Sequence, residues 1–142
     1  MGLTLDIKKT EAKLNKIEKN FKNGKKILEE VGQDVNKDIR ALFESKRSPF
    51  GVRWIPSKSN PDTLVDTGKL RDSGKVKATN KKIIISYGEN LDYGKIHNDG
   101  IGKMPKRQFV PNEGKIPNDW KKRINKNLKK GFLGKIKWMI LL

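Results

Sequence analysis

The sequence predicts an α+β fold in which a long N-terminal amphipathic helix and a C-terminal helix pack on a small, mainly antiparallel β-sheet with long loops. Three observations lead to this prediction. A helical repeat of apolar residues runs through the first third of the chain, two short β-type segments lie near its middle, and a second helical repeat begins near residue 118. The length of 142 residues fits a single domain over residues 1–142.

The first predicted element is a helical arm over residues 1–45. Its apolar side chains are spaced three, four or seven positions apart, which places them on one stripe of a helix: Leu14, Ile17, Phe21, Leu28, Val31, Val35, Ile39 and Leu42. Asn23-Gly24 falls where the stripe lacks a residue, and we expect the helix to kink or split there. Because the other faces are polar, a sheet or a neighbouring subunit must cover the stripe.

Residues 46–116 are predicted to form a loop and β-hairpin core. The first part of this segment is rich in turn-forming residues, and we expect the large side chains of Phe50 and Trp54 to anchor it. Residues 76–79 alternate between apolar and polar side chains, and residues 82–86 contain three consecutive isoleucines, a run typical of a strand in the interior of a sheet. Asn80-Lys81 lies between the two segments and predicts a tight hairpin.

The last predicted helix covers residues 117–130. A proline and an asparagine stand at its expected start, and its apolar side chains recur at four-residue steps along one face: Trp120, Ile124 and Leu128. Gly131 and Gly134 are expected to end the helix, which leaves residues 131–142 as a tail.

The composition combines little apolar material with a strong positive charge. Hydrophobic residues make up 34% of the chain, and 33 basic residues against 16 acidic ones give a formal net charge of +17. Such a field attracts nucleic acid or acidic protein surfaces. Only six of the cations are arginines, and lysines supply diffuse attraction to phosphate rather than forked contacts to bases. We therefore expect a lysine-rich solvated surface.

Residue types that carry catalysis are scarce. The chain has no cysteine and one histidine, His97, which excludes thiolate metal sites, the usual zinc sites and a Cys–His dyad. His97-Asn98-Asp99 is similar to part of a His–Asn nuclease site, but such sites need further ligands, and we expect a packed or turn-capping imidazole. The spacing of the aspartates gives no support for a carboxylate site: Asp66, Asp72, Asp92 and Asp99. We expect no enzymatic activity, no cofactor and no metal.

Three segments, in order, carry a resemblance to a known family: residues 49–56, 64–73 and 93–110. They read PFGVRWIP, LVDTGKLRDS, and YGKIHNDG followed by MPKRQFV. This set resembles the phage virion morphogenesis family, the tail-completion proteins of Mu-like and P2-like tailed phages, which are related to head–tail joining neck proteins. The residues that carry the resemblance are Phe50, Gly51, Trp54, Leu64, Asp66, Thr67, Gly68, Leu70, Tyr93, His97, Gly100, Pro105, Arg107 and Phe109. Gln108 departs from the usual proline of the family and Gly94 from its usual alanine.

In the segment at 64–73, we expect Thr67 to cap a short helical turn over residues 68–71 and Asp66 to accept backbone N–H bonds there. Gly68 is expected to supply a backbone shape that other residues resist. The apolar residues of the segment anchor it in the core: Leu64, Val65 and Leu70. Arg71 and Asp72 are expected at the surface, where they are candidate contacts to a neighbouring subunit, together with Trp138, Ile140 and Leu141 in the tail.

In the segment at 93–110, Tyr93 and Ile96 are expected to pack inward while His97 and Asn98 satisfy nearby backbone groups. Gly100 is expected to let the chain turn. Phe109, near the end of the segment, is expected to be buried. Arg107 is expected to form a fork with a carboxylate within or between subunits.

The resemblance implies a structural protein of a phage or prophage particle. It implies tail completion or head–tail joining by oligomerisation, as a ring, at the head-proximal tail end or neck. The implied partners are further copies of the chain, tail-tube, terminator or connector proteins, and non-specific contact with packaged DNA, with no membrane partner. The implied location is the tail or neck of the virion, after assembly in the host bacterial cytoplasm. The alternative from composition is a basic nucleic-acid-binding module, whose affinity would fall steeply with salt.

Overall fold

The computed structural model describes residues 2–6, 24–56, 68–79, 81–89, 91, 93–112 and 115–141, and from residue 133 onward the backbone alone. In chain order the elements are β1 (Gly2–Asp6), α1 (Gly24–Ser45), a 3-10 turn (Arg71–Ser73), β2 (Lys75–Ala78), β3 (Lys82–Ser86), α2 (Tyr93–Asp99) and α3 (Asn118–Leu141). The α+β prediction is confirmed, because the two long helices accompany a three-stranded antiparallel sheet.

The strands are arranged in the order β1-β3-β2, so the isoleucine run of β3 lies in the centre of the sheet as predicted. Ile83 and Ile85 are buried, while Ile84 points to the opposite face and is 38% exposed. β1 corrects the prediction of a helical arm over all of residues 1–45. Leu3 and Leu5 are buried and alternate with exposed or half-buried neighbours, which is the pattern of a strand with one buried face. Both residues pair with β3.

Helix α1 buries its predicted stripe against the sheet and α3. Leu28, Val31, Val35 and Ile39 are at most 3% exposed, and Leu42 is partly buried beside them. The buried face is wider than predicted, because Ile27 and Phe43 are also buried. The earlier stripe positions and the expected kink lie outside the described residues: Leu14, Ile17, Phe21 and Asn23.

Helix α3 does not end near Lys130, as the sequence predicted, but continues to Leu141. Gly131 lies against α1 instead of ending the helix, and a Cβ atom there would be 2.7 Å from Cγ2 of Ile27. Phe132, one four-residue step beyond Leu128, is fully buried. Burial of this side chain offsets the cost of about 1 kcal/mol that a glycine adds in a helix interior.

Phe43 lies at the centre of an aromatic cluster near the end of α1. Its ring centroid lies 5.0 Å from that of Phe109, 5.6 Å from that of Trp54 and 6.3 Å from that of Tyr87. Trp54 therefore anchors its loop as the sequence predicted, but Phe50 does not, because it is 55% exposed. The cluster joins α1 and the residue after β3, Tyr87, to the loop that follows α1, through Trp54, and to the loop that follows α2, through Phe109.

Candidate functional site

Two of the three segments noted in the sequence meet in a buried region that we call the loop junction, formed by residues 54–55, 97–98 and 107–110. The indole Nε1 of Trp54 donates a hydrogen bond of 2.9 Å to the carbonyl of Gln108. In the other direction, the guanidinium Nε of Arg107 donates one of 2.8 Å to the carbonyl of Ile55. These bonds join loops more than 50 residues apart, so each loop fixes the position of the other.

Asn98 is the central acceptor of the loop junction. It is 5% exposed, and its Oδ1 accepts hydrogen bonds of 3.0 Å from the backbone N–H groups of both Phe109 and Val110. Its Nδ2 donates to the Asp99 carboxylate at 2.9 Å. Two buried backbone donors thus depend on a single amide oxygen, which makes Asn98 the residue that holds this loop in place.

Among the described residues of one copy, Arg107 forms no fork with a carboxylate, and the alternative of a fork between subunits stays a prediction. Within the described residues, its guanidinium bonds to the Ile55 carbonyl and lies 3.3 Å from Nδ1 of His97. Its backbone N–H also donates to the His97 carbonyl at 2.7 Å. Because the side chain is 5% exposed, its donors bond to the acceptors that the adjacent loops bring next to it.

His97 packs edge-on to the ring of Tyr93, with centroids 6.2 Å apart. Burial and the neighbouring Arg107 charge lower the pKa of the imidazole below its ordinary value. The neutral ring offers Nδ1 as an acceptor to Arg107, and protonation would place a second cation there. No group of three or more histidine, cysteine, aspartate or glutamate side chains in the described residues could hold a metal ion.

The lowered pKa of His97 predicts a loss of stability between pH 7.5 and pH 5.5. The unfolded imidazole binds its proton near pH 6.5 and the folded one only at lower pH, so the unfolded state binds more protons as the pH falls through 6.5. Urea unfolding at the two pH values measures the difference, and His97→Gln is expected to reduce it. An equal loss in both proteins would assign the effect to another group.

The apolar residues of helix α2 are less buried than the sequence predicted, since Tyr93 and Ile96 were both expected to pack inward. Tyr93 is 37% exposed and Ile96 is only half-buried, whereas Gly94 and Asn98 are the buried residues of the helix. Gly94 lies against Leu70, and a Cβ atom there would be 3.0 Å from its Cδ1. The glycine that departs from the family pattern therefore still allows a helix from Tyr93 and faces the core.

Gly100 turns the chain directly after α2. Its φ of +67° lies in the left-handed region, and a Cβ atom would be 2.8 Å from Cβ and 2.9 Å from Cα of Lys106. Pro105 is half-buried in the same loop. The turn thus brings residues 105–107 back against the end of α2, where Arg107 enters the loop junction.

Gly100→Ala is expected to destabilise the protein more than Gly102→Ala does, by at least about 1 kcal/mol. Both glycines have nearly the same φ, +67° and +68°, so both substitutions carry the same left-handed strain of about 1–2 kcal/mol. Only Gly100 has backbone atoms in the way, because nothing lies within 4 Å of a Cβ atom at Gly102. Equal urea midpoints for the two variants would show that the contact with Lys106 does not matter.

The segment at 68–73 anchors as expected through Leu70, which is 1% exposed, and Gly68 has a φ of +69°. The helical turn is shifted from the predicted residues 68–71 to Arg71–Ser73, and Leu70 at its N-cap makes no side-chain capping bond. The turn is instead held at its far end, since the Ser73 hydroxyl donates to the Leu70 carbonyl at 2.6 Å and accepts the Gly88 N–H at 2.9 Å. Leu64, Val65, Asp66 and Thr67 lie outside the described residues.

Arg71 and Asp72 belong to an exposed ionic cluster that joins this turn to α1. Asp72 pairs with Arg40 at 3.1 Å, Arg71 pairs with Glu44 at 3.3 Å, and the two pair with each other at 3.0 Å. The hydrogen bond from Arg71 lowers the pKa of Asp72 below its ordinary value. Both candidates for intersubunit contact are thus at the surface and oriented by their own chain. The side chains of the other candidates, Trp138, Ile140 and Leu141, are outside the described set.

Sequence reasoning missed two residues that organise this region. Tyr87 continues the alternation of Ile83 and Ile85 beyond β3 and is 1% exposed; its hydroxyl donates to the side-chain oxygen of Asn36. Ser48 closes the turn at Phe50 with its hydroxyl, which accepts from Phe50 and Val52. The period-two pattern could have revealed Tyr87, whereas no local signal distinguishes Ser48 from other loop serines.

Comparison with known proteins agrees with the resemblance noted in the sequence. The family model of the phage virion morphogenesis family matches residues 5–124, which include α1, the β2–β3 hairpin and both loops of the junction. No curated protein and no solved structure matches the chain. In the described part of the chain, none of the helices is both long and apolar enough to cross a membrane. The chain belongs to the phage virion morphogenesis family and has a structural role in the assembly of the phage particle.

Proposed function

We propose that this protein completes the tail, or joins the tail to the head, of a tailed phage or prophage particle. The match to the phage virion morphogenesis family over residues 5–124 is the observation that carries the proposal. The protein acts as an oligomer, in the simplest case a ring, at the head-proximal tail end or in the neck. Identical head-to-tail interfaces close into such a ring when their rotation completes a circle.

The expected partners are further copies of the chain and the tail-tube, terminator or connector proteins. The ionic cluster around Arg71 and Asp72 and the C-terminal part of α3 are proposed as contacts between copies. The C-terminal part of α3 carries three apolar residues, Trp138, Ile140 and Leu141. A contact that buries apolar side chains would add stability to a small domain through assembly.

The outer face of α3 supports a location beside packaged DNA or an acidic ring. It exposes a series of lysines: Lys121, Lys122, Lys126, Lys129 and Lys130. The arginine of this helix is used differently, because Arg123 pairs with Asp38 of α1 at 2.8 Å. Lysines on a helix face attract phosphate without distinguishing one base sequence from another. This property fits a ring through which DNA of any sequence must pass.

A complementation experiment tests the proposed function. Infected or induced cells without the protein are expected to accumulate separate heads and tails, and adding the purified chain is expected to restore joined, infectious particles. Light scattering of the chain alone and with purified tails measures whether oligomers form on the tail. Normal yields of infectious particles without the protein, or a persistent monomer that does not associate with tails, would contradict the proposal.

A second candidate function is a nucleic-acid-binding module, favoured by the lysine series of α3. If all five exposed lysines contact phosphate, the affinity for duplex DNA falls with salt with a log–log slope of about −4.5. Tight, salt-sensitive binding by the isolated monomer would favour this module. Weak binding together with association with tails would favour the assembly role.

A further inference from the structure

Exposed apolar side chains are concentrated on two loops of this chain. Seven large hydrophobic side chains are exposed among the described residues, and five of them lie in residues 46–56 and 101–112: Phe50, Val52, Ile55, Ile101 and Met104. Each of these two segments contains three basic residues and no acidic residue. The loop junction ties the segments together through Trp54 and Arg107. We call their exposed side chains the loop face.

Phe50 lies in a tight turn that is held by hydrogen bonds within residues 47–52. The Ser48 N–H donates to the Val52 carbonyl at 2.7 Å, and the Gly51 N–H donates to the Ser48 carbonyl at 2.9 Å. The Arg47 guanidinium donates to the Gly51 carbonyl at 3.1 Å. The turn therefore presents a 55% exposed aromatic side chain on a backbone held by hydrogen bonds, which reduces the ordering cost that a partner would otherwise meet on binding.

Phe50 lines two open clefts. One, of about 290 Å³, is lined by Phe50, Val52 and Lys106, among others. The other, of about 450 Å³, is lined by Phe50, Ile116, Pro117 and Asp119, among others. An exposed aromatic side chain that lines two clefts can insert into a partner while side chains of the partner fill the clefts, which is the arrangement of an interface anchor.

We propose that the loop face is the docking surface for an acidic protein of the same virion, with an apolar pocket for Phe50 surrounded by carboxylates. Arg53 and Lys106 are exposed and line the same cleft as Phe50, so they are the complement of such a rim. The inference rests on the proposed function in one respect only, which is that the partner is a protein of the same virion. It adds which surface of the chain binds and what chemistry the partner has.

The composition of the loop face favours a protein over nucleic acid. Four of its five apolar side chains are not aromatic, whereas single-stranded nucleic acid is bound by aromatic side chains on which bases stack. A different protein is favoured over the same face of a second copy, because each copy would bring the six basic residues of the two segments, and no acidic residue from them, to the contact. A carboxylate-rimmed partner removes this repulsion.

Site-specific photocrosslinking tests the docking surface. Full-length protein with the photoreactive Phe50→p-benzoylphenylalanine substitution is produced in cells that assemble the particle, and the crosslinked peptide is identified by mass spectrometry. The expected product joins position 50 to a different virion protein, at a segment with apolar and acidic residues. The same probe at Ile84, which is exposed on the sheet, is not expected to give this product. Crosslinks only to the chain itself, only to DNA, or to no virion component would overturn the inference.

Incorporation of variants into purified particles gives a second readout. The pair Phe50→Ser with Val52→Ser, and the charge reversal Arg53→Glu with Lys106→Glu, are each expected to reduce incorporation at least about tenfold. Ile84→Ser is expected to incorporate normally, and unchanged urea midpoints show that all variants fold. Normal incorporation of both loop-face variants would overturn the inference. A crosslink to an acidic virion protein outside the tail and neck would contradict the proposed function while supporting the docking surface.

Discussion

Phe43→Ala is expected to lower the free energy of unfolding by about 3–5 kcal/mol. The side chain is fully buried, and its ring contacts the rings of Trp54, Tyr87 and Phe109. Removing it leaves a cavity where α1, the end of β3 and both loops meet, and these elements cannot all move inward to fill it. Urea unfolding followed by tryptophan fluorescence measures the change.

Phe50→Ala is the matched control, because it removes the same side chain from a site that is 55% exposed. A change within about 0.5 kcal/mol is expected for a surface position of this kind. If the two alanine variants were equally stable, the aromatic cluster would not be the point that holds the loops to the helix. The control also separates stability from binding, since Phe50 is the anchor of the proposed docking surface.

Asn98→Ala is expected to cost about 2–5 kcal/mol, because it leaves the buried N–H groups of Phe109 and Val110 without their acceptor. Hydrogen exchange of these two amides is expected to accelerate as the loop loosens. Urea unfolding gives the overall change in stability, and exchange shows whether the change is located at the loop junction.

Asn127→Ala is the control for this substitution, since Asn127 is only half-buried and its amide donates one long hydrogen bond of 3.4 Å to Asp34. It is expected to change the free energy of unfolding by less than about 1 kcal/mol. Slow exchange at Phe109 and Val110 in Asn98→Ala would show that other acceptors replace the amide oxygen.

Local patterns predicted the parts of the fold that depend on one element alone. The spacing of Leu28, Val31, Val35 and Ile39 revealed the buried face of α1, and the isoleucine run revealed the central strand. β1 was missed because its partner β3 lies almost 80 residues further along the chain. The end of α3 was misplaced because the contact of Gly131 with Ile27 is tertiary, and a glycine that packs closely looks in sequence like one that ends a helix.

The candidate site was only partly predictable for the same physical reason. Phe50 and Trp54 are both large aromatic residues in one loop, and only the turn closed by Ser48 decides that one is exposed and the other buried. Arg107 was expected to meet a carboxylate within or between subunits, and within one copy its partners are instead the Ile55 carbonyl and His97. Which acceptors a buried guanidinium meets depends on how distant loops come together, and no spacing in the sequence records this.

The location of the protein in the particle is measured most directly by electron cryo-microscopy of the purified virion. The proposed function predicts density for this fold, repeated around the tail axis, at the head-proximal end of the tail or in the neck. The loop junction predicts in addition that both loops keep their arrangement there, with Phe50 facing a neighbouring protein. Density for the chain elsewhere in the particle, or purified infectious virions that lack the chain, would contradict the assignment to tail completion or head–tail joining.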